Sequence, residues 1–564
     1  MTQQQPHTNN SNTDRVGGAA APPTPLPGPG RLRLVPPGSP RRLAVKPLGV
    51  SPFGEPVLVG VSVPDARHHL HVPGPTGTGK STLLLNLVCA DARAGRGVAV
   101  FDPKGDLVRD LLDRLPAAVA GRLVLVDPDE QEAPAALNLF DLADDPEAVA
   151  DQLVGVMAKV WAQYWGPRTD DLARHAVLTL AHLPGATLAD LPTLLADTAY
   201  RRQVMQLARQ RAGEMDTAGL AAFWRWYDSL SPGQVSVQAG PLLSKLRAVL
   251  SRRFAARLFG AGASTFRLAD ILNGGVLLVR LPPTLGEDTV RLVGSLLLAA
   301  LLHTASARAD LREVDRLDAT LALDEAHLFL NLPVGVDTAL ATARALRLCL
   351  VLAHQHLGQL TPAMSTAIDA NARNKVFFNL SPRDARELAH HVAPYFTAED
   401  LMHRDAYGVV CRLVIDGRDG EPFSLHTRPA PPAWPGRADT LRAAARDRGL
   451  SQGDRLQLAQ ARRLGPAART TAMTRSSHPA GPATGPVVNP VDSTRRPTDP
   501  TGLTHSPSGP VPHQTDATLG NLPPVGPPPA AGFRPPTRRK ARKRHDPADP
   551  HNHQSSPGPE PTRM

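Results

Sequence analysis

Short runs of apolar residues recur through the middle of the chain, and polar or helical sequence follows each run. The runs are continuous rather than alternating, which is typical of parallel strands covered by helices on both faces. They lie at residues 69–72, 97–102, 123–127, 275–281, 320–323, 348–353 and 374–379. The pattern predicts an α/β fold built on a mainly parallel central sheet.

Between the predicted strands at 123–127 and 275–281 the apolar spacing becomes helical. We therefore expect an inserted all-α subdomain over about residues 144–262. Several aromatic residues stand near arginines there, namely Trp161, Tyr164, Trp165, Trp224, Trp226 and Tyr227. Stacking on exposed nucleic-acid bases is one explanation for them, and packing in the core and rim of a helical subdomain is the other.

The two ends of the chain differ from its middle in composition. Residues 1–43 and 436–564 are dominated by Pro, Gly and polar residues, and all five Trp and five Tyr lie between Trp161 and Trp434. Such segments bury too little apolar surface to offset the entropy lost on ordering. We predict disordered arms at 1–43 and 436–564 around one domain at 44–435, with a short helical stretch near 441–464.

Charge and cysteine content bear on the possible binding partners and on the cellular compartment. The formal net charge is +10, and the basic cluster at 538–544 is either a contact for nucleic acid or acidic lipid or a solubilising tail. Cys89, Cys349 and Cys411 are far apart, so neither a disulfide framework nor a zinc pattern is indicated. This composition favours a reducing cytoplasm.

No part of the sequence predicts a membrane anchor. Residues 1–30 lack the apolar segment of a signal peptide. The longest apolar run, at 292–305, is shorter than the roughly 20 residues of a membrane span and is expected to be a buried helix. We expect a cytoplasmic protein with no transmembrane segment, so any recruitment to a membrane would come through a partner.

Residues 74–81 read G-P-T-G-T-G-K-S, the form G-x-x-x-x-G-K-[ST] of a phosphate-binding loop. Its glycines let backbone N–H groups face phosphates at the start of the following helix. Lys80 is expected to reach the β- and γ-phosphates, and the Ser81 hydroxyl to ligate Mg²⁺. The predicted nucleotide site comprises Gly74, Pro75, Thr76, Gly77, Thr78, Gly79, Lys80, Ser81 and Thr82.

A second nucleotide signature follows the strand at 320–323, which ends in Asp324 and Glu325. In nucleotide hydrolases the first carboxylate of such a pair supports Mg²⁺ and the second polarises the attacking water. Two acids at a strand end also occur as a helix cap. Because a phosphate-binding loop is present in the same chain, we favour the catalytic interpretation.

ATP is favoured over GTP as the nucleotide. A GTPase needs an N-K-x-D motif, whereas Asn374 and Lys375 continue into a predicted strand. The segment L-S-P-G-Q at 230–234 is similar to the signature loop of ABC ATPases, but that loop closely precedes the strand that ends in the acidic pair. Here Asp324 lies far downstream, so we discount this similarity.

Four segments together resemble the HerA/FtsK superfamily. They are F-D-P-K-G-D at 101–106, Y-W-G-P-R at 164–168 with a helix start at 171–174, L-D-E-A-H at 323–327, and L-A-H-Q-H-L-G-Q-L at 352–360. Within this superfamily the chain is most similar to the conjugative coupling ATPases of type IV secretion (TraG/TraD type) and their soluble HerA-like relatives. The resemblance covers about residues 50–430. It implies a RecA-like P-loop motor that assembles as a hexameric ring and pumps DNA through its channel by ATP hydrolysis.

The resemblance also implies roles for individual residues. Asp324 would support the metal, Glu325 would be the catalytic base, and Gln355 would sense the γ-phosphate and couple hydrolysis to motion. An arginine from the neighbouring subunit would neutralise charge in the transition state. Arg344 and Arg373 are both candidates for that arginine.

Two departures from the superfamily affect these expectations. Membrane-bound coupling proteins carry N-terminal spanning helices that this sequence lacks, so we expect a soluble relative or one that a membrane partner recruits. Asn379 stands where relatives are expected often to carry arginine. This leaves the arrangement of arginines between subunits open.

Three functions follow from this sequence. The first is an ATP-driven DNA translocase of conjugative transfer or DNA processing, with secretion or relaxase-type proteins bound through the arms. The second keeps the motor but moves protein instead of DNA. The third is a scaffold gated by bound ATP with little hydrolysis, which the intact pair Asp324 and Glu325 argues against.

Overall fold

The computed structural model describes residues 45–50 and 58–463. The predicted arm at 1–43 and the part of the predicted tail at 464–564 lie outside these residues, so the expected disorder of both stays a prediction.

The strands coincide with the apolar runs of the sequence and add several short ones near both ends of the described chain. They are β1 (Val45–Val50), β2 (Leu58–Ser62), β3 (Leu70–Pro73), β4 (Gly97–Asp102), β5 (Leu123–Val126), β6 (Val276–Arg280), β7 (Ala319–Leu323), β8 (Leu348–His354), β9 (Asn374–Phe377), β10 (Gly408–Arg412), β11 (Val414–Ile415), β12 (Arg418–Asp419) and β13 (Phe423–Thr427). Each of the seven predicted strands is therefore present.

One 11-stranded sheet has the order β2-β1-β13-β10-β9-β3-β8-β7-β4-β6-β5. The strands from β9 to β5 pair in parallel. The strands from β2 to β10 pair antiparallel, as do β10 and β9. This confirms the predicted mainly parallel sheet, because the parallel part forms its centre and holds the long apolar strands.

Helices connect the strands and cover the sheet. They are α1 (Val63–Ala66), α2 (Lys80–Arg93), α3 (Asp106–Arg114), α4 (Pro146–Val160), α5 (Pro167–Ala181), α6 (Leu191–Ala196), α7 (Thr198–Asp228), α8 (Pro232–Leu250), α9 (Arg253–Phe259), α10 (Leu268–Leu272), α11 (Glu287–Ser306), α12 (Val336–Ala345), α13 (Pro362–Asn371), α14 (Pro382–Leu388), α15 (Ala398–Met402), α16 (Arg437–Arg446) and α17 (Gln452–Arg463).

Apolar side chains pack on both faces of the sheet. Along β4, Val98 and Val100 join a cluster with residues of α2 and α3. The alternate residues Ala99 and Phe101 join a larger cluster with the helices between β5 and β6. Successive side chains of a strand point to opposite faces, so a continuous apolar run is needed wherever both faces are covered.

The segment between β5 and β6 contains helices and no strand, from α4 to α10. This confirms the predicted all-α insertion. Trp161, Trp224 and Tyr227 are buried in its core, which supports packing as the role of these three aromatic residues. Tyr164 and Trp226 are exposed.

The long apolar helix α11 belongs to the core. Within the described residues, the segment 287–310 is long and apolar enough to cross a membrane, and 67% of its apolar window is buried. Helix α11 is longer than the apolar run at 292–305, so the short length of that run is no evidence against a membrane span. It packs against α4 and α10, which confirms the expected buried helix.

The packed structure continues past residue 435, the predicted end of the domain. Helix α16 follows it and packs against α3 and β5, with Leu441 fully buried. Arg442 pairs with Asp127, and Arg446 pairs with Glu130. One apolar side chain and three ion pairs, the third between Arg446 and Glu132, therefore hold this arginine-rich segment on the domain, although its composition suggested disorder.

Candidate nucleotide-binding and hydrolysis site

The phosphate-binding loop connects β3 to α2, as predicted. The Gly74 N–H donates to the His354 carbonyl at 3.1 Å, which ties the loop to β8. Gly77 and Gly79 have φ values of 84° and 115°, a backbone region that favours glycine. Residues 75–77 are exposed while Lys80 is buried, so the loop presents its backbone to a ligand and holds its lysine beneath.

Lys80 lies against its own loop. Its Nζ donates to the Pro75 carbonyl at 2.8 Å and to the Gly74 carbonyl. Burial lowers the pKa of Lys80, while the charges of Asp324 and Glu325 act in the opposite direction. A phosphate group would replace the two carbonyls of Gly74 and Pro75 as the partners of Lys80. Ser81 is exposed and Thr82 is half-buried at the start of α2, where hydroxyls are available to a cation or a phosphate.

The sheet order brings Asp324 to the same edge as the loop. β7 is separated from β3 only by β8, and the carboxyl ends of these parallel strands meet at one edge. Asp324 is 1% exposed and its N–H donates to the Phe101 carbonyl at 3.0 Å. Burial raises the pKa of Asp324 to about 6. A divalent cation would offset the cost of burying the ionised carboxylate of Asp324. Carboxylate oxygens are ligands that suit Mg²⁺.

Glu325 has a strained backbone and a fully engaged carboxylate. Its φ is 53°, which is uncommon for a residue other than glycine. Oε1 accepts from Lys104 Nζ at 2.7 Å and from Gln355 Nε2 at 2.7 Å, and Oε2 accepts from Gln359 Nε2 at 3.3 Å. Burial by itself raises the pKa of Glu325, but the bonds from Lys104 and Gln355 outweigh it and lower the pKa.

Gln355 stands where sequence reasoning placed it, directly after β8. Its side chain donates to Glu325, and its backbone N–H donates to Gln359 Oε1 at 2.8 Å. The strand β8 lies between the loop-bearing β3 and the acid-bearing β7. Gln355 thus lies between the two halves of the site and contacts Glu325 through its side-chain amide.

Lys104, like Gln359, contacts Glu325 but was not assigned a role from the sequence. Asp102 fixes the turn that carries it, because its carboxylate accepts from the N–H groups of Lys104 at 2.9 Å, Gly105 at 2.7 Å and Val108 at 2.9 Å. Burial lowers the pKa of Lys104, but the bond to Glu325 and the charge of Asp324 outweigh it and raise the pKa. The sequence feature that could have indicated Lys104 is the segment 101–106, because the strand end in this segment lies beside Asp324.

Arg344 and Arg373 are not at the phosphate-binding loop of their own chain. Arg373 precedes β9, and its N–H donates to the His68 carbonyl at 2.9 Å while its guanidinium pairs with Asp419 at 2.8 Å. Arg344 is exposed near the end of α12, before β8 begins. Both lie at the amino ends of the strands, opposite the loop. A role in hydrolysis for either one would therefore require a second subunit.

The segment at 230–234 has a structural role. The Ser231 N–H donates to Gln234 Oε1 at 2.8 Å and the Gln234 N–H donates to Ser231 Oγ at 3.4 Å. This reciprocal pair caps the N-terminus of α8. It lies within the all-α insertion, which agrees with discounting its similarity to an ABC signature loop.

Among known proteins, the similarity of this chain is to solved structures and lies in the fold. No protein-family model matches the chain, and no curated protein matches it significantly. The plasmid coupling protein TrwB in complex with ADP and Mg²⁺ matches with a TM-score of 0.50 and 15% identity, over 74% of this chain and 97% of that one. The TrwB complex with the ATP analogue ADPNP matches at 0.49 with 16% identity, over 73% and 96%. VirB4 of Thermoanaerobacter pseudethanolicus matches at 0.40 with 13% identity, over 69% and 97%.

The match to the ADP complex spans nearly the whole of that structure. At 15% identity it shows a shared fold, while the roles of single residues rest on the geometry described above. The chain therefore has the fold of the conjugative coupling protein TrwB.

Proposed function

We propose that the chain is a Mg²⁺-dependent ATPase of the HerA/FtsK superfamily that moves DNA, as a coupling-type motor of conjugative transfer or DNA processing. The observation that supports this best is the position of Glu325. It is 3% exposed, it receives hydrogen bonds from Lys104 and Gln355, and its charge acts on Lys80 of the phosphate-binding loop. A scaffold has no need of a buried, ionised carboxylate at this point.

In this proposal the residues 74–82 bind the triphosphate, with Lys80 exchanging its loop carbonyls for phosphate oxygens. Ser81 and Asp324 hold Mg²⁺, which supplies positive charge against the phosphates. Glu325 accepts a proton from the water that attacks the γ-phosphorus, as the bond between that phosphorus and the bridging oxygen of ADP breaks. Gln355 shifts between Glu325 and the γ-phosphate, so that β8 responds to the state of the nucleotide.

We further propose that the motor works as a ring of identical subunits, a hexamer. The exposed Arg344, or Arg373 after release from Asp419, would then reach the phosphates bound by the neighbouring subunit and neutralise charge there. DNA would be held mainly through its phosphates, so binding would be tolerant of sequence and weakened by salt.

The experiment is steady-state ATP hydrolysis by the full chain with no nucleic acid, with single-stranded DNA and with duplex DNA. Lys80→Ala is expected to lose nucleotide binding. Glu325→Gln is expected to keep it while turnover falls at least about a hundredfold, because the amide cannot accept the proton of water.

The outcomes separate the candidate functions. Stimulation of hydrolysis by single-stranded or duplex DNA, absent in both variants, supports the translocase and identifies the form of DNA that it binds. Hydrolysis that depends on Lys80 but is indifferent to DNA favours a protein substrate over DNA. Nucleotide binding without turnover favours the scaffold, and normal turnover by Glu325→Gln contradicts its role as the base.

A further inference from the structure

Tyr407 is held against the phosphate-binding loop by its backbone. Its N–H donates to the Thr78 carbonyl at 2.9 Å, and its own carbonyl accepts from the Thr427 N–H at 2.8 Å. Its φ of 67° lies in the left-handed region, which a bulky residue adopts only where the surroundings impose it. The loop before β10 therefore fixes this one residue beside the nucleotide site.

The ring of Tyr407 covers the loop at Gly79. A Cβ atom placed on Gly79 would lie 2.8 Å from Tyr407 Cδ1, so ring and loop backbone are in direct contact. Tyr407 nevertheless stays 46% exposed. One part of the aromatic surface thus packs on the loop while another part faces solvent next to the position of the phosphates.

The order of the strands gives the direction in which a bound nucleotide would extend. Asp324, Glu325 and Gln355 follow β7 and β8, which lie on one side of β3. β9 and β10 lie on the other side, and Tyr407 precedes β10. Because the γ-phosphate must face the catalytic residues, the α-phosphate and the nucleoside leave the loop on the side of Tyr407.

We propose that Tyr407 forms the nucleoside subsite of this chain, with its exposed ring face stacked on the base of the bound triphosphate. Stacking on an aromatic ring accepts any base, because every base has a π face. The subsite therefore adds affinity for a nucleoside triphosphate without selecting its base. This inference rests on the proposed nucleotide site and adds a residue from outside the phosphate-binding loop.

The test compares two ligands by calorimetry on the full chain with Mg²⁺, a non-hydrolysable ATP analogue and inorganic tripolyphosphate. Tyr407→Gly removes the ring and suits the positive φ, so folding is preserved. We expect it to weaken the ATP analogue about tenfold, or about 1.4 kcal/mol, and to leave tripolyphosphate within about twofold. Tyr407→Phe keeps the ring and should retain both affinities.

Two controls keep the outcomes distinct. Tyr164→Ala, at an exposed tyrosine of the insertion, should change neither affinity. Equal losses for both ligands in Tyr407→Gly would mean that the ring only shapes the loop, and this would overturn the subsite, as would no loss at all. Failure of the wild-type chain to bind either ligand would contradict the proposed nucleotide site itself.

Discussion

Lys104 Nζ donates to Glu325 Oε1 at 2.7 Å, although 221 positions separate the two residues in the chain. They meet because β4 and β7 are neighbouring parallel strands whose carboxyl ends are in register, with Phe101 opposite Leu323. The ammonium group holds the carboxylate ionised in a buried place. The same oxygen also accepts from Gln355, so two donors meet at one carboxylate oxygen.

We expect Lys104→Ala to lower the rate of ATP hydrolysis about 100- to 1,000-fold. The variant loses a positive charge that both orients Glu325 and lies near the phosphates, and removal of one such donor typically has an effect of this order. Lys104→Arg keeps the charge and should retain more of the rate. Steady-state turnover at saturating ATP measures both variants.

Lys159→Ala is the matched control for Lys104, because Lys159 is exposed on α4 in the insertion. It should leave turnover without DNA unchanged. A Lys104→Ala variant with the full wild-type rate would show that the ion pair with Glu325 plays no part in hydrolysis.

Gly77 and Gly79 of the loop, both with positive φ, should differ in their tolerance of alanine. Both would carry backbone strain of about 1–2 kcal/mol. A Cβ on Gly79 would also meet Tyr407 at 2.8 Å and Phe378 at 3.2 Å, whereas a Cβ on Gly77 meets nothing within 4 Å. We expect Gly79→Ala to lower the free energy of unfolding by about 2–4 kcal/mol and Gly77→Ala by about 1–2 kcal/mol.

Thermal unfolding of the two glycine variants without nucleotide measures this difference. The comparison avoids ligand effects, since either added methyl group would also face the phosphates. Equal destabilisation by the two substitutions would contradict the close packing of Tyr407 on the loop.

Much of the fold could be predicted from sequence because parallel strands buried on both faces are continuous apolar runs. The phosphate-binding loop and the pair Asp324 and Glu325 follow such runs directly. The contact of Lys104 with Glu325 could not be predicted in this way, since it depends on which strands become neighbours. Tyr407 was missed for the same reason, because it is remote in sequence from Thr78 and Gly79.

The ends of the domain were harder to predict than its centre. The antiparallel strands β1, β2 and β13 are short and partly exposed, so their apolar pattern is weak. Helix α16 has a single buried side chain, Leu441, within a segment rich in arginine. Composition therefore suggested disorder, while ion pairs with acidic residues elsewhere in the chain hold the helix in place.

The role of α16 can be tested at Leu441. Leu441→Ala should lower the free energy of unfolding by about 2–5 kcal/mol, because it leaves a cavity between α16, α3 and β5. Leu456→Ala in α17 is the control, since that side chain is 57% exposed and should change stability by less than about 0.5 kcal/mol. Denaturant titration compares them, and equal effects would place Leu441 outside the core.

Buried histidines should make the stability of the domain depend on pH. In His69, Nδ1 accepts from the Leu350 N–H at 3.1 Å, so Nε2 carries the hydrogen and donates to the Leu340 carbonyl at 2.8 Å. Burial lowers the pKa of His69 to about 4, below the 6.5 of a free histidine. The unfolded chain therefore binds the proton first as the pH falls.

This stabilisation is complete above about pH 6.5 and is lost as the pH falls toward 4. Between pH 7.5 and 5 the contribution of His69 amounts to about 2 kcal/mol. His69→Gln should reduce the dependence of the unfolding free energy on pH by about that amount, whatever its effect at pH 7.5. His403→Gln, at an exposed histidine, should leave the dependence unchanged. If the unfolding free energies of the wild type and His69→Gln changed equally with pH, this would contradict a neutral His69 ring with two hydrogen bonds.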